Sequence, residues 1–364
     1  MKDKLRSFIN RFSKIFTKFL PVVSFIPPIL ILYYLRPDSF LGRWEGSWQG
    51  RFLYFFCLWL CFLETIIGYE RLSVFQLNKK RIGRFFILAF FISLPTIYVV
   101  VANFFGLNEM IKALAEKNMV YHARLVPFSM EYLIFSVLLC AIVVSAYGIV
   151  GLEEFSISIA FLGVVGLTYA MDQLYPFGRF MPFQSLVFPT TSLAQSVLNF
   201  LLAYPTKIEI SMDTTYGYTP ILKVYDPANP FRPLAGYRIA WPCAGVESLL
   251  IYTLTILLFL KKSEIPTLQK VIYFAMGAVI TYLSNVLRIV SIYLVKINGG
   301  NPFLFHDLYG PLYSIIWITS YPLIMVGSRI LWNTIKQLRL PLAFHDIPII
   351  KKAHALRSRL IKHH

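Results

Sequence analysis

Charge is what this chain has least of. Asp, Glu, Lys and Arg together make up 15% of 364 residues, and only 18 of them are acidic against 35 basic. Soluble domains carry about 25% charged residues, and disordered segments combine high charge with few aromatics, so both classes are excluded. Cysteine is sparse as well. Cys57, Cys61, Cys140 and Cys243 are scattered, which gives neither a disulfide framework nor zinc-ligand spacing. No Walker loop, GxGxxG, internal repeat or low-complexity tract is present, so nucleotide chemistry and solenoid architectures have no support. Nothing in the sequence calls for a metal or another cofactor.

Apolar residues fill the chain instead. They account for 57% of it, and the mean hydropathy is +0.62. No soluble fold buries that much apolar surface, so the expected class is an all-α polytopic membrane protein. The net charge of +17 is confined to the tails and to particular loops, which reads as a topology signal and not as a nucleic-acid face. No nucleic-acid partner is expected.

Windows long enough to cross a hydrocarbon core of about 30 Å give eight spans, near 19–35, 52–69, 85–105, 131–150, 155–172, 245–260, 270–292 and 312–332. A ninth apolar stretch, 186–204, is interrupted by Pro189, Gln195 and Asn199. The basic segment 1–18 places the N-terminus in the cytoplasm, and the loop with Arg71, Lys79, Lys80, Arg81 and Arg84 belongs there too. Lys261, Lys262 and Lys270, together with the basic tail 333–364, reach the same side only if 186–204 does not cross. That stretch is therefore expected as a re-entrant or surface helix. Pro27 and Pro28 inside the first apolar run, with no small-residue cleavage site after it, argue for a retained first span and not a cleaved signal.

The organisation that follows is a basic amphipathic lead at 1–18, five transmembrane helices over 19–172, and an extracytoplasmic region at 173–242. Three further transmembrane helices over 243–332 and the cytoplasmic tail complete the chain. Within the extracytoplasmic region, 205–240 forms a small β-like insert. Its Lys207–Met212 and Ile221–Tyr225 segments alternate like strands around a turn at Tyr216-Gly217-Tyr218.

Three polar clusters lie at the same end of their hydrophobic segments. Cys243 follows Pro242 and precedes Gly245 at the start of a span, where free backbone N–H groups favour a thiolate. Cys57, Cys61 and Cys140 lie within spans and read as small buried hydrophobes. Arg288 sits about 24 Å along a helix that begins near Ile272, close to the outer edge of the core. A guanidinium there needs a polar cavity or a partner, and Asn285, three residues earlier on the same face, is placed to orient it. His306 precedes the last span on the same side, with Asp307 and Gly310 nearby. An imidazole is the usual proton carrier for a thiol nucleophile, and Asp307 is a candidate to orient it.

The runs Cys243-Ala244-Gly245-Val246-Glu247-Ser248, Asn285-Val286-Leu287-Arg288 and His306-Asp307-Leu308-Tyr309-Gly310 resemble the exosortase/archaeosortase family of membrane cysteine transpeptidases. The Trp-Pro before the cysteine is similar to the thaumarchaeosortase branch. Many members carry Ser or Thr where this chain has Ala244. The resemblance covers roughly 130–332 and implies Cys243, Arg288 and His306 as catalytic residues, with Asn285, Asp307, Gly245 and Ser248 in support. It implies as substrate an exported protein with a C-terminal transmembrane sorting tail, and as acceptor a membrane lipid or lipid-linked group. The alternative is a polytopic transporter in which Arg288 and Glu64 line an intramembrane path. Such a protein should show paired interrupted helices or an inverted repeat, and neither is visible.

Overall fold

The computed structural model of the chain describes residues 17–40, 50–72, 82–175, 180–202, 204–213, 217–261 and 263–339. Most of the basic lead 1–18, the tail beyond 339, Lys79, Lys80, Arg81, Lys262 and the Tyr216 turn lie outside the described residues. The protein is mostly helical. Its main helices are α1 (Leu20–Leu35), α2 (Leu53–Ile67), α3 (Ile82–Phe104), α4 (Leu107–Lys117), α5 (Val126–Tyr147), α6 (Ser156–Leu174), α7 (Val187–Leu202), α8 (Val246–Lys261), α9 (Thr267–Ile297) and α10 (Gly310–Arg339).

Among the described residues, five stretches are long and apolar enough to cross a membrane: Phe86–Phe104, Ala123–Tyr147, Ser156–Leu174, Thr267–Ile297 and Leu312–Trp332. Three of the expected spans form shorter helices instead, namely α1, α2 and α8. At 15 or 16 residues each rises about 24 Å or less, short of a 30 Å core. The fourth expected span also starts earlier than its apolar run, at Ala123, and stops at Gly148, whose φ of 72° no β-carbon residue adopts easily.

Polar side chains pin the amino-terminal helices together. Arg51 is buried and clamps Glu131 of α5 through Nε (2.8 Å) and Nη2 (2.9 Å), while its Nη1 donates to Ser39 Oγ and Tyr54 donates to Glu131. A buried charge pair is tolerable only when its hydrogen bonds are this fully satisfied. Glu64 of α2 caps α6. Its two carboxylate oxygens accept from Ile157 N and Ser158 N at 3.0 Å each, and Ser158 Oγ adds a third bond at 2.6 Å. Small residues let α5 and α6 approach closely, since a β-carbon on Gly166 would lie 2.8 Å from Leu133 Cγ.

The ends of the helices register with one another. Lys261, last in α8, donates to Ser156 Oγ (2.8 Å) at the start of α6 and sits 3.8 Å from Glu64. At the opposite end of α6, Asp172 accepts from Trp241 Nε1 at 2.8 Å. This second end is the site end. Helix α7 begins there, with Val187 packed on Trp241 and Ala244, and Thr190 Oγ1 is 3.1 Å from Tyr282 Oη of α9. Its later residues Ala194 and Leu198 pack with Val286, Ile289, Val290 and Tyr293. Thus α7 starts where α6 stops and follows the second half of α9 in the same direction.

A three-stranded antiparallel sheet sits on this second half of α9, in the order β1 (Thr206–Asp213), β2 (Gly217–Asp226), β3 (Asn229–Arg238). Leu222, Val224, Ala235 and Ile239 bury against α7 and α9. Lys223 bonds Glu209 across β1 and β2, which holds that carboxyl below its ordinary pKa. The two strands expected from the sequence pair as β1 and β2, and β3 adds a third. Pro230, Pro233 and Gly236 make β3 read as loop, yet proline and glycine are at home on an edge strand, and the register shifts beside Pro233.

Candidate active site

Residues Trp241 to Gly245 form a tight turn and not the first turn of a helix. Ala244 N donates to Ala240 O and Trp241 O, both at 3.1 Å, and Gly245 adopts φ +96° before α8 starts at Val246. Cys243 lies three residues ahead of the first helical residue. This corrects its expected position at a helix start and weakens the helix-dipole argument for its thiolate, because that field fades within a turn. The turn is anchored on two sides, by Trp241 on Asp172 and by Asn285 Nδ2, which donates to Cys243 O at 2.8 Å. Glycine at 245 is doubly required: its φ is left-handed, and a β-carbon would sit 3.0 Å from Asn285 Nδ2.

Asn285 is therefore not a partner of Arg288, as its helical spacing suggested. It faces the cysteine turn, and its buried Oδ1 has no hydrogen-bond partner among the described residues. Arg288, one turn further along α9, donates through Nη2 to the main-chain carbonyl of His306 at 3.3 Å. Its Nε is buried and has no hydrogen-bond partner among the described residues. Gly310 allows this placement, since a β-carbon there would stand 2.6 Å from that Nε.

His306 is not in a loop. Asn301 caps the short helix Pro302–Leu304 by accepting from Phe303 N (3.0 Å) and Leu304 N (3.1 Å), and Phe305–Tyr309 continues as a π-helical turn into α10. π-turns widen the backbone by one residue and often mark functional positions. The Asp307 side chain lies outside the described residues.

Cys243, Arg288 and His306, from three separate segments, line one cavity of about 210 Å³. Tyr237 and Arg238 at the end of β3, with Ile239 just after it, form one wall, and Ile289, Ile292, Tyr293, Pro302 and Phe303 the rest. Gly245, Asn285 and Ser248 do not line it. Ser248 instead pairs with Ser314 Oγ at 3.0 Å and ties α8 to α10. The β3 residues were missed in the sequence, where Tyr237 and Arg238 carry no motif; only their closeness to Cys243 in the chain hinted at them. A thiol, a guanidinium and an imidazole are the groups that nucleophilic acyl transfer draws on.

The other cysteines are elsewhere: Cys57 and Cys61 are buried in the amino-terminal core, and no disulfide joins any of the four. Among the described residues, no three His, Cys, Asp or Glu side chains gather where a metal could be held. No protein family, curated protein or solved structure matches the chain.

Proposed function

We propose that the chain is a membrane cysteine transpeptidase that cuts a C-terminal sorting signal from exported proteins and passes the new C-terminus to a lipid or other cell-surface acceptor. The observation that carries this reading is the convergence of Cys243, Arg288 and His306 on one cavity. The resemblance of the three motifs to exosortases and archaeosortases supports it from the sequence side.

In this mechanism His306 takes the thiol proton as Cys243 Sγ attacks the scissile carbonyl, and the developing oxyanion accepts from Arg288. His306 donates a proton to the leaving amine as the C–N bond breaks, which leaves a thioester on Cys243. His306 then takes the proton of the acceptor nucleophile, which attacks the thioester and releases the thiol. No metal or cofactor takes part. The site end faces outside, the basic termini face the cytoplasm, and eight helices cross, with α1, α2 and α8 spanning through local thinning of the bilayer or snorkelling of their flanking residues. The direction of α7, the same as α6, favours a re-entrant or surface helix over a ninth crossing.

The transporter alternative loses its main support at Glu64, which is occupied in capping α6 and lies at the end opposite the cavity. The deciding test is Cys243→Ala, which removes the nucleophile and little volume. Uncut exported proteins should accumulate in cells carrying the variant, at normal levels of folded membrane protein. Unchanged processing would overturn the reading.

A further inference from the structure

The proposed cleavage requires the donor chain to be held straight across Cys243, and the sheet offers a way to do so. In the strand order β1-β2-β3, one edge of β3 has no strand neighbour among the described residues. Ile239 N donates to Pro220 O at 2.9 Å, so its N–H faces β2. Alternation puts Tyr237 on the same side, where the hydroxyl of Tyr293 accepts from Tyr237 N and donates to Leu222 O at 2.7 Å. The main-chain N–H and C=O of Gly236 consequently face away from β2. Gly236 is exposed.

That edge leads directly into the cavity. Tyr237, Arg238 and Ile239 are cavity wall, and the chain reaches Cys243 four residues after Ile239. The donor's orientation is constrained as well. Its tail helix lies in the bilayer on the leaving side, so the acyl side must run out of the membrane, past the part of the protein that extends beyond the end of α6. That part is the sheet on α9.

We infer that β3 is a docking strand: the acyl side of the donor peptide adds along its outer edge as a fourth strand, held by main-chain hydrogen bonds to the N–H and C=O of Gly236, with its carbonyl delivered to Cys243. The inference rests on the transpeptidase reading above. Recognition by main-chain pairing is tolerant of side chains, which suits an enzyme acting on many exported proteins that share only a short motif.

The full chain in nanodiscs tests this without a known substrate. Acetyl-alanine chloromethyl ketones of one to four residues alkylate a thiol by displacing chloride, with the peptide on the acyl side, and chloroacetamide serves as the peptide-free control. Cys243 labelling should accelerate about tenfold from the shortest to the longest, as two added net hydrogen bonds would give. N-methylation should abolish the gain only at alternate residues. Gly236→Pro removes the edge N–H in a conformation that an edge strand tolerates. It should flatten the length dependence and leave chloroacetamide labelling unchanged. Gly236→Ala keeps the N–H, meets only Lys223 Cγ at 3.4 Å, and should behave as the parent protein. A length dependence that is absent from the parent, or that persists in Gly236→Pro, overturns the docking strand alone. Failure of chloroacetamide to label Cys243 in the folded protein removes the transpeptidase reading and the docking strand with it.

Discussion

Asn285 Nδ2 donates to the main-chain carbonyl of Cys243 at 2.8 Å, so a side chain 42 residues downstream fixes the turn that presents the thiol. Asn285→Ala leaves that part-buried carbonyl without its donor, at a cost of about 1–3 kcal/mol. We expect a loss of processing of about tenfold or more with Cys243 still present, and slower labelling of Cys243 by chloroacetamide. Asn285→Asp should be worse, because a carboxylate would face the carbonyl oxygen. Unaltered labelling and processing in both variants would show that the turn stands without this bond.

Gly310 and Arg288 give a prediction in which stability and activity move in opposite directions. Gly310 has φ −57° and ψ −47°, a helical conformation open to any residue. Alanine there should gain up to about 1 kcal/mol of helix stability. Its β-carbon, however, would lie 2.6 Å from Arg288 Nε and push the guanidinium out of place. Gly310→Ala should therefore hold or raise the melting temperature while processing falls at least tenfold. Arg288→Lys, which keeps the charge but loses the planar fork, should reproduce the activity loss. Full activity in Gly310→Ala would mean that the position of Arg288 is immaterial.

Much of this arrangement was legible in the sequence, and the reasons for the misses are physical. The helices were readable because apolar runs of this length have few other fates, and the Cys243, Arg288 and His306 clusters were readable because polar groups are rare among them. Helical spacing put Asn285 on the face of Arg288, but spacing along one helix does not show that the 241–245 turn lies closer. The π-turn at His306 and the left-handed Gly245 are local backbone solutions that residue types do not announce. Strand β3 was hidden because its prolines and glycine suit an edge.

Gly277 marks where the site-bearing helices meet. A β-carbon there would fall 2.0 Å from Tyr252 Oη and 2.6 Å from Tyr321 Cε1, while Tyr252 donates to Phe274 O and Tyr321 to Tyr273 O on the same helix. Rings from α8 and α10 thus close over one spot on α9. Gly277→Ala should destabilise by about 1–3 kcal/mol, as overpacking typically does, and should be read out as a lower melting temperature in detergent. Tyr252→Phe would not rescue it, because the ring carbon Cζ is itself only 2.6 Å from the added β-carbon.

Glu64 separates a structural carboxylate from a transport path. It accepts three hydrogen bonds at the start of α6, so Glu64→Ala strands those donors and should cost stability. Glu64→Gln retains one acceptor oxygen and should be milder. Processing per folded molecule should be near normal in both, since the carboxylate sits at the far end from the cavity. Normal melting combined with lost activity would instead give Glu64 a functional role.

The final prediction concerns sidedness, on which an enzyme for exported proteins depends. In a background lacking all four native cysteines, Ala228→Cys places a thiol on the exposed β2–β3 turn, and Glu264→Cys places one on the exposed link between α8 and α9. These positions lie at opposite ends of the molecule: the sheet sits on the second half of α9, and residue 264 precedes its first turn. With eight crossings, an impermeant maleimide added to intact cells should label the thiol at 228 and not the one at 264. With nine, α7 would cross, and the lysine-rich link would move outside against the bias of basic loops for the cytoplasm. Labelling at 264 but not at 228 would put the Cys243 cavity in the cytoplasm, and the exported-protein substrate would have to be abandoned even if Cys243 proved reactive.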